Sequence, residues 1–232
     1  MVCRVTIGWI QIPVVKICLG ADRFCQSSGM VQIMELNDPD IRAALLLRLA
    51  NQPVRPRAVI EELRVHNGNA IADVVALYSE AHCFEIKGCT DKITRITKQG
   101  AFYNTAFRKI TLVVTDRNLR RARRLSPRYW GIMVARYVGG NVRLSYVRPA
   151  KVNPRFDKAL AIQTLWKSEM LSMVAEKAYV RKSRDFLATL ICATRRKAEL
   201  STRICELLVA RQQTIRSWRL APYTKYARQQ TA

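Results

Sequence analysis

Residues 70–87 read AIADVVALYSEAHCFEIK: two apolar runs, Ala70 to Tyr78 and Ala81 to Lys87, carrying Asp73, Glu85 and Lys87 where a buried sheet normally carries no charge. Side chains of an extended chain alternate between faces, so Glu85 and Lys87 point one way while Phe84 and Ile86 point the other. Asp73 falls in the middle of IADVVAL, where an unpartnered carboxylate is costly to bury unless a cation or a ring of donors receives it. Two carboxylates converging on one point suit a hard divalent cation such as Mg²⁺, which takes few protein carboxylates and keeps several waters. A lysine beside them suits hydrolysis.

Upstream, AVIEELRV (58–65) reads as a strand, and His66-Asn67-Gly68-Asn69 supplies turn chemistry leading into the Asp73 run, so a hairpin is expected. Ser79-Glu80 turns the chain into the third strand. Glu61 and Glu62 lie on the first strand, and alternation leaves only one of them able to serve the acidic cluster and turns the other to solvent. Before the strands, IRAALLLRLANQ has helical spacing, with Asn37 or Asp38 as its cap, Pro39 in its first turn and PVRP as its stop. After Gly88 the period changes. A helix is expected from Thr90 or Asp91 to about Phe107, then a buried strand in KITLVVTD, a basic helix in NLRRARRLSP, and a hairpin of YWGIMVARY and NVRLSYVRP about Gly139-Gly140-Asn141.

This order predicts an α/β fold with a mixed central sheet flanked by helices. Beyond AKVNPRF the pattern is helical, in DKALAIQTLWKSEMLSMVAEK and then SRDFLATLICATRRKAELSTRICELLVARQQ, so an all-α C-terminal region is expected, ending in a mobile basic tail, SWRLAPYTKYARQQTA. Residues 1–36 read as an N-terminal extension, 37–150 as the core and 151–232 as the basic helical region. Within the extension, VTIGWIQIPVVKICLGA is interrupted by Lys16 and too short to span a bilayer, and it is not read as a signal peptide. Trp130 and Trp166 read as core residues. His66 and His82, lacking evident partners, read as structural.

The 232 residues carry a formal charge of +23, unevenly placed. Residues 1–116 hold 14 basic and 11 acidic groups, whereas residues 117–232 hold 26 basic and 6 acidic. Nucleic acid accounts for so many dispersed arginines better than a membrane surface or a small anion does. Seven cysteines, an odd number without CxxC spacing, argue against a disulfide framework or zinc site and fit a reducing cytoplasm.

Asp73, eleven intervening residues and then Glu-x-Lys resemble the signature of the PD-(D/E)XK nuclease superfamily, although Ala72 stands where the name-giving proline would be. Glu62 in the preceding strand resembles the extra acidic residue of many members, a likeness that favours Glu62 for the cluster and leaves Glu61 to solvent. Gln99-x-x-x-Tyr103 resembles the helix motif of the RecB-like and Holliday-junction-resolvase-like branch, with Asp91 and Arg95 earlier on the same stretch. The chain is also similar to small bacterial proteins that join such a core to a helical C-terminus, through the NPRFD and LWKSE segments.

The resemblance implies a Mg²⁺- or Mn²⁺-dependent hydrolase of phosphodiester bonds, acting on DNA in repair, recombination or defence against mobile DNA. It implies Asp73, Glu85, the Ile86 carbonyl and Glu62 as metal ligands. Lys87 would orient or deprotonate the attacking water, and Gln99 would position the water or the scissile backbone. Arg95, Tyr103, the helix carrying Arg117, Arg120, Arg121, Arg123 and Arg124, and Arg181, Lys182 and Arg184 are the expected contacts to nucleic acid. A homodimer or a larger nucleoprotein complex is compatible with this reading. Two other classes stand beside it: a non-catalytic nucleic-acid binder on a nuclease fold, and an interaction module of a defence complex. Only the enzyme requires Asp73, Glu85 and Lys87 together.

Overall fold

A computed structural model describes residues 35–174 and 177–220. The expectations for residues 1–34, and for residues 221–232 of the tail, lie outside the described residues. Helix α1 (Asp38–Asn51) begins at Asn37 with a reciprocal capping box to Asp40 and Pro39 in the first turn. It buries Ile41, Leu45 and Leu49, one stripe at four-residue spacing. Strands β1 (Ala58–Val65), β2 (Ala70–Leu77) and β3 (Ala81–Lys87) form an antiparallel meander, joined first by the left-handed turn His66–Asn67–Gly68. Helix α2 (Arg95–Ala106) crosses to β4 (Lys109–Thr115), parallel to β3; α3 (Asp116–Leu125) crosses to β5 (Gly131–Val138), parallel to β4; and β6 (Asn141–Arg148) returns antiparallel. The spatial order of the six strands is their order in sequence.

Alternation divides the sheet's side chains between two cores. Phe84, Ile86, Val113, Met133 and Ala135 meet α1 on one face. Cys83, Leu112, Val114, Ile132 and Val134 form the other core with Tyr103 of α2 and Ala122 of α3. That second core continues without a break into α4 (Lys158–Ala161), α5 (Lys167–Val174), α6 (Arg184–Thr194) and α7 (Lys197–Leu220), through Met170, Leu187, Ile191, Ile204 and Leu208. The helical region is more divided than its apolar pattern suggests. Turns at Leu165–Trp166 and Arg195–Arg196 interrupt it, and α7 runs to Leu220, so the first four residues of the expected tail are helical.

Candidate functional site

Glu85 and Lys87 occupy the β3 positions that face the larger core, as the alternation of Cys83 against Phe84 and Ile86 requires. Glu85 is fully buried, Lys87 nearly so, and the lysine Nζ donates to Glu85 Oε1 at 2.5 Å. The β2–β3 ladder runs from Leu77↔Ala81 to Val74↔Phe84. One step further the same register sets Asp73 against Glu85, and there the carboxylate replaces the backbone partner: Ile86 N–H donates to Asp73 Oδ2 at 2.7 Å. The three charged groups carried on β2 and β3, Asp73, Glu85 and Lys87, therefore meet at the carboxyl end of β3.

Helix α2 closes this site from the core side. Tyr103 is fully buried, and its hydroxyl, beside Glu85, donates to the Ile71 carbonyl at 2.6 Å. Gln99 lies one turn earlier. Its Oε1 and Glu85 Oε2 are both buried and receive no donor within the protein. Two adjacent carboxylates, one with an unmatched buried acceptor atom, fit a hard cation, since what such a pair lacks is positive charge rather than further acceptors. Among the described residues no group of three or more His, Cys, Asp or Glu side chains gathers as a metal site. A site made here rests on Asp73 and Glu85, with Gln99 one turn before Tyr103 on α2.

The electrostatics follow the burial. Loss of solvent pushes the Glu85 carboxyl up to about 7, the Asp73 charge adds to that shift, and Lys87 opposes it. Asp73 is also raised, first by burial, while the Ile86 N–H and Lys87 hold it down. Burial and the neighbouring Glu85 raise the Tyr103 phenol, so Tyr103 acts as a neutral hydrogen-bonding group.

Several expected site residues sit elsewhere. Glu62 adopts a left-handed backbone with φ 57°. Core membership changes phase at the same place: Ile60, Leu63 and Val65 share one core, and opposite them Ala72 and Val75 share that core while Val74 belongs to the other. Glu61 and Glu62 consequently escape the alternation expected of neighbours, and both approach Arg42, at 3.7 and 3.9 Å. Glu62, with 73% of its side chain exposed, does not join Asp73 and Glu85. Tyr103 is interior, away from any substrate surface. Arg184 is committed to structure: its Nη2 donates to the Gln163 and Leu165 carbonyls and its Nη1 to Asn67. Trp166 is 55% exposed and lies against the Arg211 guanidinium, not in the core as Trp130 does. His66 and His82 bond Thr105 and Thr111 and pack on Phe102 and Phe84.

Arg42 is a site residue that sequence patterning does not single out. From α1 its Nη1 donates to the Asp73 carbonyl at 3.2 Å, Nη2 stands 3.7 Å from the Asp73 carboxylate, and Nε donates to Asp38 at 2.9 Å. Its one local signal is the Asp38–Arg42 spacing of four, an ordinary helical pair. Behind the site, Gly88 is clamped. A Cβ there would lie 3.0 Å from the Asn37 Cα and the Leu36 oxygen. Its N–H donates to Asp91 at 2.7 Å, and its carbonyl accepts from Asn118 Nδ2 at 2.8 Å. Asn118 thereby brings the start of α3 next to the carboxyl end of β3, and Arg117, Arg120, Arg121, Arg123 and Arg124 are all exposed on that helix. Arg95, Arg181 and Lys182 are exposed as well, the last standing 5.1 Å from the Phe186 ring.

Fold and site together define an α/β protein whose mixed six-stranded sheet carries an acidic cluster and a lysine at the carboxyl end of a central strand. The chain belongs to the family described as bacteriophage P4 protein cII, whose model matches residues 32–219. Among curated relatives it is similar to protein cII of Enterobacteria phage P4, 23% identical over 176 residues that cover 67% of each chain. No solved structure matches it. Among the described residues no helix is long and apolar enough to cross a membrane.

Proposed function

We propose that this chain is a divalent-metal-dependent nuclease that hydrolyses phosphodiester bonds, with DNA as its substrate, on a core similar to the PD-(D/E)XK nucleases. The observation that carries this is the donor-less buried Glu85 Oε2 beside Lys87 and Asp73, with a second donor-less buried oxygen, Gln99 Oε1, on the helix that carries Tyr103. Mg²⁺ or Mn²⁺ held by Asp73 and Glu85 would supply an activated water and offset phosphate charge. Asp73 is pre-oriented by the Ile86 N–H, and Arg42 fixes the backbone that carries it. Lys87, paired with Glu85, is the ammonium placed to orient a water or a phosphate oxygen. The Gln99 amide retains its NH₂ donors for the same task. The exposed arginines of α3, adjacent through Asn118, supply phosphate contacts that hold a strand over the site.

The test compares the parent with Asp73→Ala and Lys87→Ala on linear, supercoiled, single-stranded and branched DNA, with Mg²⁺ or Mn²⁺. Divalent-dependent cleavage should appear for the parent and fall by about a hundredfold or more in each variant. The proposal fails if the parent cleaves none of these substrates. A second reading, nucleic-acid binding without turnover, draws on the complete burial of Glu85 and its neutralisation by Lys87. DNA binding that persists without cleavage would establish it.

A further inference from the structure

A cleft of ≈ 360 Å³ opens at the other end of the sheet, where α1 stops and β3 and β4 begin. The sheet itself separates it from the carboxylate site: the lining residues His82 and Phe84 point to the α1 face, Glu85 and Lys87 point to the other, and His82 lies three residues, roughly 10 Å at about 3.3 Å per residue, before Glu85. Its size is in the range of about 300–1,000 Å³ common to small-molecule sites. Leu45, Leu49, Phe84 and Met133 give it an apolar floor. Flat rings stand around that floor: Tyr146 is 48% exposed, and His82 stacks on Phe84 at 4.2 Å. Burial drives His82 down to about 3, so its ring is neutral at any ordinary pH. Gln52, which also lines the cleft, donates to the Tyr78 hydroxyl and keeps its amide oxygen as an acceptor.

The charge at this cleft has one sign. Its only lining carboxylate among the described residues, Glu80, is taken by Arg108 at 2.8 Å. Arg48 and Lys109 are exposed lining residues without an ion pair among the described residues. Arg48 stands 5.7 Å from the Tyr146 ring centroid and spends one N–H on the Leu144 carbonyl. Flat apolar walls, an amide to read polar ring edges, and two unpaired cations at the rim match a heteroaromatic ring bearing an anion.

We infer that this cleft binds a mononucleotide, its base lying against Tyr146 over the apolar floor and its phosphate between Arg48 and Lys109. It is a second site, separate from the Asp73–Glu85–Lys87 cluster. A chain that cleaves nothing would still carry it.

The full chain, in EDTA to prevent divalent-dependent turnover, is titrated calorimetrically with the four deoxynucleoside monophosphates, the matching nucleosides and inorganic phosphate. At least one monophosphate should bind saturably with Kd at or below about 1 mM, and at least about tenfold more tightly than its nucleoside or phosphate alone. Lys109→Glu and Tyr146→Ala, both at exposed positions, should each weaken that binding by about tenfold or more while the melting temperature holds. Asp73→Ala should leave it unchanged. Absence of saturation by every monophosphate overturns the inference. So does binding that ignores both cleft substitutions, or that is lost in Asp73→Ala and so belongs to the carboxylate site.

Discussion

Asp73, Glu85 and Lys87 stand out in the sequence because charge inside an apolar strand needs a reason, and the fold brings all three to one place. Glu62 and Arg42 were not legible. A left-handed Glu62 defeats the alternation rule that set Glu61 and Glu62 on opposite faces, and nothing in Ile41-Arg42-Ala43 reveals that Arg42 spans to β2. The raised Glu85 carboxyl has a consequence for stability. Its folded value of about 7 exceeds the 4.5 of an ordinary glutamate, so the folded state holds the extra proton between those values. The associated stability is fully present below about pH 4.5 and is lost as pH rises through 7. At roughly 1.4 kcal/mol per unit, this amounts to about 3 kcal/mol, and the raised Asp73 carboxyl acts in the same direction. In urea denaturation without divalent ions, the parent should become less stable between about pH 5 and about pH 8, and Glu85→Gln should flatten most of that decline. An unchanged slope in the variant would show that Glu85 is not the titrating group.

At the scale of elements, β3 is held at its carboxyl end by contacts from three directions. Leu36 before α1 accepts from Cys89 N–H at 2.9 Å, Asn118 of α3 donates to Gly88, and Asp91 caps the turn. Because the groups nearest a Gly88 Cβ are backbone atoms, they cannot move aside as a side chain would. Gly88→Ala should therefore cost about 1–3 kcal/mol, read as a shifted urea midpoint at unchanged slope. Helix α3 is the complementary case. Its buried side is small, Asn118 and Ala122, and its five arginines are exposed, so they contribute to binding far more than to stability. Replacing Arg120, Arg121 and Arg124 together by Gln should leave the melting temperature within a few degrees and reduce the slope of log affinity for DNA against log salt by about 2–3. An unchanged slope would remove α3 from the binding face. Strand and helix order was readable from periodicity because burial on one or two faces imposes it. The breaks at Leu165–Trp166 and Arg195–Arg196 were not, because an apolar pattern continues across a turn when both flanking helices pack on the same core.

Across the whole molecule, the near-neutral first half supplies the acidic cluster, and the second half, with 26 basic against 6 acidic groups, supplies most of the excess charge. A cation bound only by the folded state would stabilise it by mass action. At concentrations about a hundredfold above its dissociation constant, Mn²⁺ should add roughly 2.7 kcal/mol to the parent and far less to Asp73→Ala, read as a rise in melting temperature. Equal rises would place the ion elsewhere.

The sequence by itself determined the mixed α/β order, the two-faced burial of the strands and the presence of misplaced charge on two of them, since each follows from local periodicity and the cost of burying an ion. Only the tertiary structure decided that the C-terminal helices complete the sheet's own core, that Arg42 rather than Glu62 attends Asp73, and that Glu85 and Gln99 each bury an oxygen without a donor. Those outcomes depend on contacts between residues distant in the chain and on one left-handed residue, neither of which leaves a periodic trace.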